Sequence, residues 1–115
     1  LDGIAAELTG TFARPPKPFN LAQRSLFSFV KETGRDLGLS LGWEDTGGVC
    51  EGNNLFAAGC PNIDTLGVRG GAIHSDREFM LADSLYERAA LSFLLLMRFG
   101  EGRCDPRELR KMMEA

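Results

Sequence analysis

Hydrophobic and polar positions divide the chain into helical and extended stretches. Leu26, Phe27, Phe29 and Val30 form one apolar helix face behind Asn20, which with Gln23 fits a capping box, and Gly34 is expected to stop that helix. Leu37, Leu39, Leu41 and Trp43 alternate with polar or small residues, the period of a strand. A short helix is expected over Asn54 to Ala58, then a strand from Pro61 to Leu66. Ser84 with Glu87 forms a second capping box, opening a long helix to Gly100. Asp105, Pro106 and Glu108 open a last short helix. Glu7 to Ala13 reads as a further strand, running into Arg14-Pro15-Pro16-Lys17-Pro18, where the prolines fix an extended path. Strands alternating with helices predict an α/β fold with mostly parallel short strands.

Composition narrows the function. The chain has 115 residues, 43% hydrophobic and 25% charged, with a net charge of -3, which suits one domain. Three lysines and ten scattered arginines do not make a nucleic-acid footprint. The apolar stretch from Leu91 to Phe99 is too short for a membrane span, which takes about 20 residues. Cys50, Cys60 and Cys104 are odd in number and unpaired in spacing, so reduced thiols in a cytoplasmic protein are expected, with Cys50 as nucleophile a minor alternative. The chain opens on Leu1 and no secretory leader follows, so an upstream segment is expected.

Two glycine-rich loops hold the candidate chemistry. Thr46 to Asn53 is either a nest of backbone donors for a carboxylate or phosphate or a tight turn into a helix; it lacks a phosphate loop's Gly-Lys-Ser/Thr ending. Gly67 to His74 delivers the only histidine beside Ser75, Asp76 and Glu78. A lone histidine is more often a loop residue than a metal ligand, and both readings stay open on the residues alone. Arg14 is either a bidentate carboxylate clamp or a solvated arginine at a chain crossing.

In order and spacing, Thr46-Gly47-Gly48-Val49-Cys50-Glu51-Gly52-Asn53, Gly59-Cys60-Pro61-Asn62-Ile63-Asp64 and Gly67 through Phe79 resemble one family. It is the di-zinc metallopeptidase and deacylase family of carboxypeptidase G, acetylornithine deacetylase, succinyl-diaminopimelate desuccinylase and aminoacylase. The resemblance runs from Arg14 to Gly100 and implies the C-terminal part of a zinc-peptidase catalytic domain over 14–115, with 1–13 closing a lid or dimerisation domain. It implies that His74 ligates one of two zinc ions. Arg14 would grip the substrate carboxylate, Gly47 and Gly48 would line the pocket, and Gly70 and Gly71 would bring main chain near the substrate. Glu78 would support the loop.

One departure stands out: the family's Ser/Thr-Asp pair is Cys50-Glu51 here. The remaining zinc ligands and the general base match nothing in these residues, so no catalytic residue is assigned and the isolated chain is expected to be inactive. The implied parent hydrolyses an amide of a peptide or N-acyl amino acid with a free carboxylate, and pairs through the lid domain. The alternative is a non-catalytic binding or structural module on the same scaffold.

Overall fold

The computed structural model describes residues 3–114, so Leu1, Asp2 and Ala115 lie outside it. Four helices dominate: α1 (Leu21–Asp36), α2 (Glu51–Ala57), α3 (Asp83–Gly100) and α4 (Pro106–Glu114). The only sheet among the described residues is one antiparallel pair, β1 (Gly70–Gly71) with β2 (Phe79–Met80), in the register Gly70 to Met80 and Gly71 to Phe79.

The expected α/β fold with parallel strands is therefore wrong for this chain: helix takes 44% and strand 4%. The three runs read as strands, 7–13, 37–43 and 61–66, form no ladder with one another. Alternation reports which side of a segment is buried, whereas a strand also needs a neighbour at hydrogen-bonding distance. Leu39 and Leu41 do turn to one side and pack against the core of Val30, Leu91 and Leu95. Thr65, at φ 60, further breaks the 61–66 run, since β-branched residues rarely adopt that conformation.

Helix boundaries follow local chemistry. Asn20 Oδ1 accepts from the Gln23 backbone N–H at 3.0 Å, as expected for the cap of α1. Gly34 does not end α1. It is a buried contact point, where an added Cβ would lie 2.7 Å from Leu41 Cδ1, and the turn out comes at Gly38 (φ 74). Helix α2 starts earlier than expected because Cys50 caps it: its thiol accepts from Gly52 N–H, and the Asn53 side chain accepts from Cys50 N–H. Ser84 does not cap α3. Fully buried just inside the helix, it donates to Leu81 O at 2.6 Å and accepts from Arg69 N–H at 2.8 Å, tying the hairpin strand to the helix. Asp105 Oδ1 accepts from Arg107 N–H at 2.8 Å, the cap expected for α4.

Helix α1 packs on α3 and α4. Arg98 staples α3 to α1, donating to Thr33 Oγ1 at 3.0 Å and Asp36 Oδ2 at 2.6 Å. Trp43 stacks on Phe19, with ring centroids 3.8 Å apart, and meets Phe27 edge-on. That cluster fixes the far end of the 37–43 run beside the start of α1. The whole is thin and wide, 62 × 41 × 17 Å, with a radius of gyration of 18.0 Å, against about 13 Å for a compact chain of this length.

Candidate functional site

The proline-rich crossing and the first glycine loop meet. Arg14 Nη2 is paired with Glu51 Oε1, at the first residue of α2. Asn53 Nδ2 donates to Pro15 O at 3.0 Å, and Lys17 Nζ reaches Asp64 Oδ2 at 2.7 Å. Residues from three separate stretches of sequence thus share one polar cluster.

Asn62 and Gln23 anchor it. The Asn62 amide nitrogen donates to Gly52 O and Cys60 O, both at 2.9 Å. Gln23, fully buried on α1, donates to Asn62 O at 2.8 Å and accepts from Asn62 N–H at 2.9 Å, as a neighbouring strand would. Gly52 is obligatory at this junction, because a Cβ would sit 2.4 Å from Asn62 Oδ1.

Cys50 is engaged as a structural donor: its thiol donates to Asp64 Oδ2 at 2.9 Å. This hydrogen bond, together with Lys17, holds the Asp64 carboxyl below its usual range.

Gly47 and Gly48 sit on the strap before α2, where Gly48 N–H donates to Thr46 Oγ1 at 3.2 Å. They line a cavity of about 740 Å³, bounded by 40–49, 63–66, Phe27, Val30 and Arg88. Gly70 and Gly71 form β1, and both are crowded by β2: a Cβ on Gly70 would lie 2.1 Å from Phe79 O, and one on Gly71 2.9 Å from the Phe79 ring. His74 sits exposed in the turn between β1 and β2 at φ 65, and its backbone N–H donates to Glu78 Oε2 at 3.3 Å. Arg14, Glu51 and the loop before α2 are therefore brought together, while the His74 side chain hydrogen-bonds none of them among the described residues.

A zinc ion takes at least three protein ligands at a catalytic site. No group of three or more His, Cys, Asp or Glu side chains suited to a metal occurs among the described residues. The donors here do not by themselves fit the implied metal. Nor is any helix among them long and apolar enough to cross a membrane.

Sequence reasoning missed four residues: Gln23, Lys17, Asp64 and Arg88. Arg88 carried a usable signal. Ser84, Arg88, Leu91 and Leu95 fall at helical spacing on the inward stripe of α3, so a charge was placed on a buried face. Comparison of the chain with family models, curated proteins and solved structures found no match.

Proposed function

We propose that this chain supplies one metal ligand, His74, and part of the carboxylate-binding wall of a zinc-dependent amidohydrolase acting on a peptide or N-acyl amino acid. The remaining ligands and the proton acceptor come from polypeptide outside these 115 residues. The observation that carries the reading is the convergence of Arg14-Pro15 on the Thr46–Asn53 loop, the meeting that a clamp beside a pocket requires. Glu51 orients the Arg14 guanidinium, whose other N–H groups have no partner among the described residues. An arginine held this way presents a pre-set fork to a substrate carboxylate. Glu78 fixes the backbone at His74 and so sets where the imidazole is offered.

The test is zinc stoichiometry and amide hydrolysis of the full reading frame, with and without His74→Ala. The variant is expected to lose one zinc equivalent and its turnover, while the 115-residue chain alone hydrolyses nothing. Unchanged zinc content and activity in His74→Ala would refute the assignment. A second reading, a non-catalytic module, draws on the structural use of both Cys50 and Glu51, as helix cap and ion pair. It predicts that wild-type full-length protein is inactive as well.

A further inference from the structure

The 740 Å³ cavity is a groove with an unusual construction. One wall is the extended run 40–49 and the other is 63–66, with Phe27 and Val30 of α1 behind them. Backbone groups are obligatory hydrogen-bonding groups and need partners. Among the described residues, however, no N–H or C=O from Ser40 to Val49 or from Pro61 to Leu66 bonds to another backbone group. The only strand-like pairing on the second wall is the one that the Gln23 amide gives to Asn62. The first wall already has a strand's orientation, with Leu39 and Leu41 turned to the core.

The same groove holds a cation with one buried nitrogen that makes no hydrogen bond. The Arg88 side chain is 17% exposed, and its Nε is buried without a hydrogen-bond partner. Its nearest acid, Glu87 at 3.4 Å, is shared with Arg69 at 3.3 Å. No Arg88 nitrogen makes a hydrogen bond among the described residues, whereas Lys17 in the same lining is taken by Asp64. A buried guanidinium nitrogen without a hydrogen bond is unfavourable, and an acceptor placed in the groove relieves it.

We infer that the groove is the acceptor for an extended segment of polypeptide of a different sequence, which adds as a β-strand along Leu39 to Trp43. Its inward side chains are apolar, against Phe27, Val30 and Ile63, apart from one Asp or Glu that pairs with Arg88. A bare backbone edge asks for alternating donors and acceptors at strand spacing, about 4.8 Å away. A polypeptide supplies that pattern and a small anion does not. The Arg88 Nε sets the charge of the occupant, and the apolar floor sets its alternation.

The experiment uses the isotopically labelled 115-residue chain and a capped seven-residue peptide of alternating valine and threonine, with glutamate replacing one inward valine. A glutamine version is the control. Amide exchange at Ser40 to Trp43 is expected to slow at least about tenfold on binding. The glutamate peptide is expected to bind at least about tenfold more tightly than the glutamine peptide, the preference expected of a charge-assisted hydrogen bond. Arg88→Met should abolish that preference and Arg88→Lys should keep part of it. Because the two peptides are compared on the wild-type chain, the result stands even if Arg88→Met fails to fold.

Absence of protection at millimolar peptide would overturn the inference. So would protection that grows with protein concentration and no peptide, which would make a second copy the occupant. Glutarate binding at Arg88 with no amide protection from either peptide would make the groove a small-anion site and overturn it equally. The zinc reading is measured by metal stoichiometry, so the two fail separately.

Discussion

Gln23 is the most informative single residue to change, because it joins α1 to the segment that carries the polar cluster. Gln23→Met keeps the volume and nearly the same helix propensity, so the substitution isolates the two hydrogen bonds to Asn62. Each neutral bond contributes about 1 kcal/mol net, and a group left buried without a partner costs about 1–3 kcal/mol. Asn62 is only half-buried, so water reaches part of what is lost, and the lower end of that range applies. The expected destabilisation is about 2–3 kcal/mol in total. With a urea dependence of about 1.5 kcal/mol per molar for a chain of this size, the midpoint falls by about 1.3–2 M. Urea unfolding followed by Trp43 fluorescence and far-ultraviolet circular dichroism reads the shift. Amide exchange at Asn62 should accelerate well beyond the general change. A midpoint within about 0.3 M of wild type and an unaltered Asn62 amide would refute the reasoning, since the side chain would then not be holding that segment.

Two further outcomes follow from the cluster and the thiols. The Asp64 carboxyl lies below its ordinary 3.8 through the Cys50 thiol bond and Lys17. A depressed folded value means the contribution is fully present above about pH 4 and is lost as pH falls through the folded value. A carboxyl-carbon NMR titration should therefore show Asp64 moving back toward 3.8 in Cys50→Ala, and an unmoved titration would count against the thiol bond. Burial, followed by Asp105, pushes the Cys104 thiol up, while Cys60 is exposed. Iodoacetamide at pH 8 should label Cys60 first and Cys104 much more slowly, as mass spectrometry of the peptides would show; equal rates would refute the burial of Cys104.

Local signals read well from the sequence, and non-local ones did not. Asn20 and Asp105 cap helices by bonding a backbone N–H within three residues, so their roles are written in adjacent positions. Gln23 matched the capping-box position too, yet its amide goes to Asn62, 39 residues away, which no local pattern reports. Cys50 was weighed as a thiol, whereas its position before Glu51 makes it the cap of α2. The alternation of Leu39 and Leu41 does correspond to one side turned to the core. What failed was the step from a buried side to a sheet, because the ladder partner of such a run is a property of the whole molecule. The candidate site divides the same way. The Arg14 crossing and the Gly47-Gly48 loop were singled out separately, and only the fold brings them together.

Helix α3 explains why the chain is so thin. Its Ser84, Leu91 and Leu95 stripe is buried inward, yet Leu85, Tyr86, Phe93 and Leu96 on other faces are 52–81% exposed. A helix apolar all round belongs between two layers, not at a surface. The molecule measures only 17 Å along its shortest axis, against 62 Å along its longest. One face of α3 is therefore matched within this chain and the other is not, and exposed apolar surface of that kind marks a contact. The groove shows a second shortfall, in backbone without protein partners and in the Arg88 Nε. The two differ in chemistry, apolar area against backbone pairing, and a partner that covers α3 and adds a strand beside Leu39 to Trp43 would answer both.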